Sequence, residues 1–101
     1  MKLFRIRPDK LQIFLDWGKY LENNPEALET LKEEEIGFEA FYYFKLDEEY
    51  YTMGITDNSA PLPASDRELN RNHKAVLKEC LERVAEATPV YILKISDEKK
   101  K

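Results

Sequence analysis

The chain has 101 residues, which suffices for one domain with a single small core. Its 16 Lys and Arg are scattered among 20 Asp and Glu, giving a formal net charge of −4 without a basic stripe, which argues against nucleic acid as a partner. No apolar run approaches the ~20 residues of a membrane-spanning helix, and the N-terminal residues lack the apolar core of a signal peptide. Because a single cysteine cannot form an internal disulfide, we expect a soluble protein of the reducing cytoplasm.

The first third of the chain predicts a strand followed by two helices. Residues 2–7 place Phe4 and Ile6 on one side and Leu3, Arg5 and Arg7 on the other, which is typical of a short strand. Pro8 suits a helix start, and apolar residues then recur at helical spacing. Asn24 and Pro25 predict a second helix, because Asn caps helix N-termini and Pro fits the first turn. Gly37 is expected to end this helix in the left-handed conformation.

The middle of the chain predicts a β-hairpin. Residues 37–46 and 49–56 are rich in aromatic and β-favouring side chains, and the tight turn Asp47-Glu48 lies between them. Both faces of this hairpin carry large apolar groups. If Phe38, Tyr42 and Phe44 face the helices, Phe41 and Tyr43 face the other side of the sheet.

The last third predicts a loop, a long helix and a final strand. Residues 57–64 contain Asn, Ser and two prolines, which indicate a loop. Helical spacing of apolar residues then runs from Ser65 to about Ala87. Residues 90–96, VYILKIS, are apolar and β-favouring and predict a strand. Residues 97–101 are expected to form a charged, flexible tail.

The element order predicts the fold class. The order β-α-α-β-β-α-β, with the first two helices acting as one broken crossover, is typical of an α+β protein: a ferredoxin-like split βαβ sandwich with a four-stranded antiparallel sheet. A single domain would span residues 1–96, with the first strand central in the sheet. The sheet face without helices would expose many aromatic side chains unless a second copy covered it. We therefore predict a homodimer whose two sheets pack face to face, a dimeric α+β barrel.

The only histidine, His73, and the only cysteine, Cys80, lie on the predicted long helix. Their spacing gives ~10.5 Å of helical rise, far more than the ~3 Å of a Cys-His nucleophilic pair. We therefore interpret Cys80 as a small core residue. No good metal ligand lies one turn from His73, and metal, nucleotide and hydrolase motifs are absent from the sequence, so we predict neither metal nor cofactor. His73 is then either a packed, hydrogen-bonded side chain or a lone acid/base lining a pocket.

The first strand suggests where a ligand would bind. If Phe4 and Ile6 face the helices, Arg5 and Arg7 point toward the dimer partner or a cavity. An Arg-rich cavity with tyrosines could hold a small anion, whereas the alternative is an interfacial network of salt bridges, since a buried arginine needs a carboxylate partner. The candidates are Arg5, Arg7, Glu39, Tyr50 and Trp17 for ligand binding, and His73 and Tyr43 for acid/base catalysis.

Two segments carry a resemblance to a known family. PEALETLKEEEIGFEAFYYFKLDEEYYTMGI, from Pro25, followed by NHKAVLKECLE, from Asn72, resembles a family of small uncharacterised proteins, a domain of unknown function with a dimeric α+β barrel fold. The resemblance covers most of the chain, and its second segment contains His73, Lys74, Glu79 and Cys80. It implies the fold and the dimer, and it implies no activity.

The first segment is also similar to sugar mutarotases of the same superfamily, where a Pro-Glu helix leads into an aromatic strand. Those enzymes have a histidine and a tryptophan near the proline, whereas this chain has Tyr20 and Asn24 there. Two hypotheses follow. The chain is a homodimeric module that binds a small organic or anionic ligand in its barrel, or it is a small cofactor-free enzyme, mutarotase- or monooxygenase-like, that uses His73 or a tyrosine as acid/base.

Overall fold

The structure is a computed structural model that describes residues 1–95, and it confirms the ferredoxin-like α+β fold. The predicted tail at 97–101 lies outside the described residues, as does the last residue of the predicted strand 90–96. Across residues 1–95, none of the helices combines the length and the apolar character required to cross a bilayer. The elements are β1 Lys2–Ile6, α1 Leu11–Glu22, α2 Pro25–Glu33, β2 Glu39–Leu46, β3 Glu49–Thr56, α3 Glu68–Cys80 and β4 Leu81–Glu86.

The sheet is antiparallel, with the strand order β2-β3-β1-β4. As predicted, β1 is central: Ile6 pairs with Tyr50 on β3 and with Leu81 on β4. The side of Ile6 carries the core, in which Phe14 of α1 and Cys80 of α3 pack against the sheet. Cys80 is fully buried, which confirms its interpretation as a core residue.

The turn between β2 and β3 sets which side chains face the helices. Asp47 and Glu48 both have positive φ, 49° and 70°, as in the two-residue turns that match strand twist. Leu46 therefore pairs with Glu49 across the turn, and the register carries on to the end of the hairpin. The structure shows Phe41 on the helix side, where its ring lies edge-on to Phe14 with 6.3 Å between centroids.

The structure shows the other of the two possible facings of β2, with Phe41 and Tyr43 toward the helices. Tyr42 pairs with Met53 and Phe44 with Tyr51, which places both aromatic rings on the side away from the helices. Tyr43 pairs with Thr52, on the helix side. The sequence pattern contained no polar face from which to choose, because aromatic residues alternate on both sides of β2.

The C-terminal part of the chain also differs from the prediction. Helix α3 ends at Cys80, and β4 begins at the next residue, Leu81, where the backbone is already extended (φ −116°, ψ 145°). Two backbone hydrogen bonds bracket this pairing: Arg7 N–H donates to the carbonyl of Cys80, and Ala87 N–H donates to that of Met1. The strand expected at 90–96 is therefore replaced by Leu81–Glu86, and residues 90–95 form neither helix nor strand.

Helix α2 begins as predicted and ends differently. The side chain of Asn24 accepts a hydrogen bond from the backbone N–H of Glu26 at 3.0 Å. At the other end Ile36 N–H donates to the carbonyl of Leu31, and Glu35 has a positive φ of 59°. This is a Schellman ending, in which Glu35 takes the left-handed position that was expected of Gly37.

The side of the sheet opposite the helices, here called the open face, is not covered by any element among residues 1–95. Its apolar side chains follow from the strand registers: Leu3, Ala40, Tyr42, Phe44, Leu46, Tyr51, Met53 and Ile55. Tyr42 is 58% exposed and Leu46 54% exposed, although both lie on a sheet. The ring of Phe44 stacks on that of Tyr51 across the two strands, with 5.7 Å between centroids.

Candidate functional site

A charged cluster lies on the open face where β1, β3 and β4 run side by side; it consists of Arg5, Arg7, Glu49 and Glu82. Arg5 Nη1 donates to Glu49 and Arg5 Nη2 donates to Glu82, both at 2.7 Å. These contacts, first the hydrogen bond that Arg5 donates to Glu49, raise the pKa of the Arg5 guanidinium. Arg5 Nε is buried and has no partner among the described residues. The salt bridges predicted for Arg5 were interfacial, whereas the structure pairs Arg5 with two carboxylates of its own chain.

Arg7 is bound less tightly than Arg5. Its Nη1 lies 3.5 Å from Glu82, and its Nη2 lies 3.4 Å from the carbonyl oxygen of Leu81. Both distances exceed the usual range of strong charge-assisted hydrogen bonds. The Arg7 guanidinium therefore keeps donor capacity for a further acceptor. Two arginines and two glutamates make the cluster formally neutral.

Tyr51 joins the charged cluster to the aromatic part of the open face. Its hydroxyl donates to Glu49 at 3.3 Å. Partial burial and then the negative charge of Glu49 raise the pKa of the Tyr51 phenol. Tyr51 therefore stays protonated at neutral pH and serves as a hydrogen-bond donor.

A second cluster, the aromatic cluster, lies between α1 and α3 and consists of Trp17, Tyr20 and His73. The indole Nε1 of Trp17 donates to Nδ1 of His73 at 2.8 Å. The rings of Trp17 and His73 are nearly parallel, with 6.0 Å between their centroids. The ring centroid of Tyr20 lies 5.1 Å from that of Trp17. Sequence reasoning had singled out both Trp17 and His73 without pairing them.

The Trp17 contact fixes the protonation state of His73. An indole N–H can only donate, so Nδ1 of His73 must be unprotonated, and the neutral ring carries its proton on Nε2. Burial also lowers the pKa of His73 below its ordinary value. His73 is therefore a partly buried, neutral, hydrogen-bonded ring, which matches the packed alternative. Among the described residues its hydrogen-bond partner is a tryptophan, neither a tyrosine nor an arginine.

The remaining predicted site residues lie on the helix side of the hairpin. Tyr43 and Tyr50 are neighbours there, with 6.1 Å between ring centroids, and the ammonium of Lys45 lies 5.8 Å from the ring of Tyr50. Strand pairing places Glu39, Tyr43 and Tyr50 on the side of the sheet opposite Arg5, so these candidates do not line a common site with it. Desolvation and the charge of nearby Glu34 raise the pKa of the Glu39 carboxyl.

Two cavities of a single chain, among residues 1–95, lie near the predicted site residues. Arg7 and Tyr50 contribute to one pocket of about 120 Å³, between the start of α1 and the β2–β3 turn. Pockets that hold drug-sized ligands have about 300–1,000 Å³, so this one has room for a few atoms only. A wider groove of about 380 Å³ lies beside Trp17 and Tyr20, and it is largely open to solvent. Neither encloses a small organic molecule.

Sequence reasoning missed Glu49, Glu82 and Tyr20. Glu82 was missed because its segment was assigned to the long helix. Glu49 could have been found, because a two-residue turn places it opposite Leu46, and alternation then places it on the face of Tyr51. Within residues 1–95, no three His, Cys, Asp or Glu side chains are grouped as metal ligands.

Comparison with known proteins identifies the family and no activity. Residues 1–100 match a family described as "Family of unknown function (DUF6176)". The chain therefore belongs to that family. No curated protein and no solved structure matches the chain.

Proposed function

We propose that this member of the family works as a homodimeric binding module, in which two copies pack their open faces together and hold a small organic or anionic ligand between the sheets. The observation that supports the proposal is the open face itself. Tyr42, Phe44 and Leu46 project from it and are 58%, 40% and 54% exposed. Soluble proteins seldom expose a contiguous apolar patch of this kind unless it is an interaction surface.

The composition of the open face suits a partner that is also a sheet. Packed sheets lie about 10 Å apart, and their inner faces are filled by interdigitating side chains. Tyrosine and phenylalanine are enriched in protein interfaces, where they supply large contact areas at low entropic cost. Because the two surfaces of a two-fold dimer are identical, this patch would meet another copy of itself.

The charged cluster would lie inside such a dimer, at the edge of the aromatic surface. Arg5 Nη1 and Nη2 each bind a carboxylate at 2.7 Å, and its Nε is buried, so Arg5 is a poor donor to a ligand. Arg7, with contacts of 3.4 and 3.5 Å, can donate to an incoming acceptor. A ligand with an apolar body and one anionic group would place the body against the aromatic side chains and the anion against Arg7. We further propose that the module works in the reducing cytoplasm, where the buried thiol of Cys80 remains free.

The dimer is tested by light scattering at micromolar concentration. We expect the wild-type chain to have twice the mass of one chain, and Tyr42→Asp to be monomeric, because it buries a charge in the proposed interface. Tyr20→Asp is the matched control, since Tyr20 is 52% exposed but lies on the helix side. A wild-type chain that remains monomeric, or a dimer that both variants weaken equally, would contradict the proposal.

The ligand is tested by thermal unfolding with benzoate and with benzamide, its neutral analogue. We expect benzoate to raise the unfolding temperature of the wild-type chain more than benzamide does, and we expect Arg7→Met to remove that difference. Arg71→Met is the control, because Arg71 is an exposed arginine of α3 that binds Asp66. An equal benzoate effect in both variants would exclude Arg7 as the anion donor.

A further inference from the structure

We propose that residues 88–95, here called the C-terminal arm, cross to a second copy of this chain and add a strand to the outer edge of its β2. Two arms would be exchanged reciprocally in one dimer. The inference rests on the proposed homodimer and goes beyond it, because face-to-face packing alone does not require any exchange of chain segments. It assigns a docking site, the β2 edge, and a specific occupant.

The arm has the composition of a buried strand but is little buried in its own chain. Its side chains are apolar on both sides, with Val90 and Ile92 on one and Tyr91, Leu93 and Ile95 on the other. Val90 is 95% exposed and Leu93 is 85% exposed. Among residues 1–95, no hydrogen bond involves the arm, although its sequence favours an extended conformation. A segment with these properties gains burial and backbone hydrogen bonds only from a partner.

The arm cannot pair with β2 of its own chain along its full length. It starts at the opposite edge of the sheet, because the hydrogen bond from Ala87 to Met1 holds the end of β4 against β1. Reaching a position beyond β2 requires crossing four strand spacings, about 19 Å, over the open face. At about 3.3 Å per residue the crossing uses about six residues of the arm. The few that remain are too short for a strand.

The two edges of the sheet differ in how open they are to another strand. β2 is eight residues long, lacks proline, and carries aromatic side chains on both faces along its centre. β4 is six residues long, is charged at Glu82, Arg83 and Glu86, and has an irregular register near Leu3 and Phe4 of β1. Short, charged and irregular edges resist strand addition, whereas long, flat, apolar edges favour it. The β2 edge is therefore the acceptor.

Strand addition at β2 would also complete the proposed interface. The new strand would continue the row of Tyr42 and Phe44 on the open face and the row of Phe41 and Tyr43 on the helix side. Because the arm is apolar on both sides, each row gains an apolar neighbour. The backbone groups on the outer side of β2 gain hydrogen-bond partners at the same time.

The first test compares chain lengths and point variants by sedimentation over a range of concentrations. A chain ending at Ala87 and the full-length variant Leu93→Asp should both dimerise roughly 100-fold more weakly than wild type or worse. Controls are a chain ending at Ile95, which keeps the arm, and Leu28→Asp, which alters a 61% exposed leucine of α2. Both controls should dimerise as wild type. Circular dichroism of each variant reports whether it is folded, and Leu93→Asp keeps the test valid if the shortened chain unfolds.

The second test identifies which chain the arm contacts. A dimer is assembled from equal amounts of ¹³C-labelled and unlabelled full-length chains, and filtered NMR experiments record contacts between labelled and unlabelled protons only. Contacts from Leu93 or Ile95 to Phe44 in such a sample are the expected result. A dimer that persists unchanged without the arm would overturn strand exchange and leave the face-to-face dimer standing. A wild-type chain that is monomeric throughout would overturn both, and contacts confined to one chain would overturn the exchange alone.

Discussion

Acidification is expected to destabilise the folded chain through His73. Burial lowers the pKa of His73 in the folded state, whereas in the unfolded chain it titrates near ~6.5. Below that value the unfolded chain binds the proton first, so unfolding becomes more favourable as the pH falls. The stabilisation is fully present above the unfolded pKa and is lost between it and the lower, folded pKa.

The magnitude follows from the Trp17 contact. Protonating Nδ1 of His73 would place a second donor against the indole N–H, which now donates across 2.8 Å. Loss of such a hydrogen bond costs about 1 kcal/mol, and each unit of pKa difference is worth about 1.4 kcal/mol at pH values below the folded pKa. Trp17→Phe removes the donor, so it should lower the free energy of unfolding by about 1 kcal/mol or more at pH 7.5. It should also raise the pKa of His73, since the neutral ring loses its specific partner.

The assay uses the fact that the chain has only one histidine. Its ring protons are followed by NMR from pH 4 to 8, and urea unfolding is measured at pH 7.5 and 5.5. Tyr20→Phe is the control, because it keeps the indole and the imidazole in place. A midpoint at or above the ordinary value in the folded wild-type chain would refute the reasoning. An unchanged midpoint in Trp17→Phe would refute the part assigned to the indole.

Backbone geometry gives further predictions. Gly18→Ala should raise the free energy of unfolding by about 0.5–1 kcal/mol, because Gly18 is inside α1 and a Cβ there meets nothing within 4 Å. Gly54→Ala should lower it by about 1–3 kcal/mol, because its Cβ would lie 2.8 Å from the ring of Phe41. Glu35→Gly should raise it by about 0.5–1 kcal/mol, since the residue has a φ of 59°. Urea unfolding at pH 7.5 measures all three, and a stabilised Gly54→Ala or a destabilised Gly18→Ala would contradict the packing on which they rest.

The fold could be predicted from the sequence because its signals are local. The Asn24-Pro25 start and the Asp47-Glu48 turn each depend on a few neighbouring residues, and the structure has both. The order of elements then limits the topology to very few arrangements. The facing of β2 is a different case, since alternation cannot choose between two aromatic faces. There the choice depends on distant contacts such as that between Phe41 and Phe14.

The same distinction explains the charged cluster. Residues 81–86 continue the helical spacing of α3, so local propensity predicted a helix to Ala87. In the folded chain Glu82 instead lies opposite Arg5 on β1 and forms a 2.7 Å ion pair with it. Strand pairing with β1 overrides a helical pattern of this length, because β4 gains the backbone hydrogen bonds of the sheet and its first residue, Leu81, is buried in the core. Because the local pattern did not predict β4, Glu82 could not be recognised as a site residue from the sequence.

The C-terminal arm is the opposite case: its local sequence favours a strand, but no other segment of residues 1–95 pairs with it. Residues 90–95 have the composition of a strand buried on both sides. The position beside β1, where the predicted last strand would pair, is already occupied by β4. Natural sequences rarely combine a strong strand preference with such large exposure of apolar side chains, because this conflict lowers stability and promotes aggregation. The conflict disappears if the partner lies on another copy. The mismatch between prediction and structure at this end of the chain is therefore itself an argument for exchange between two copies.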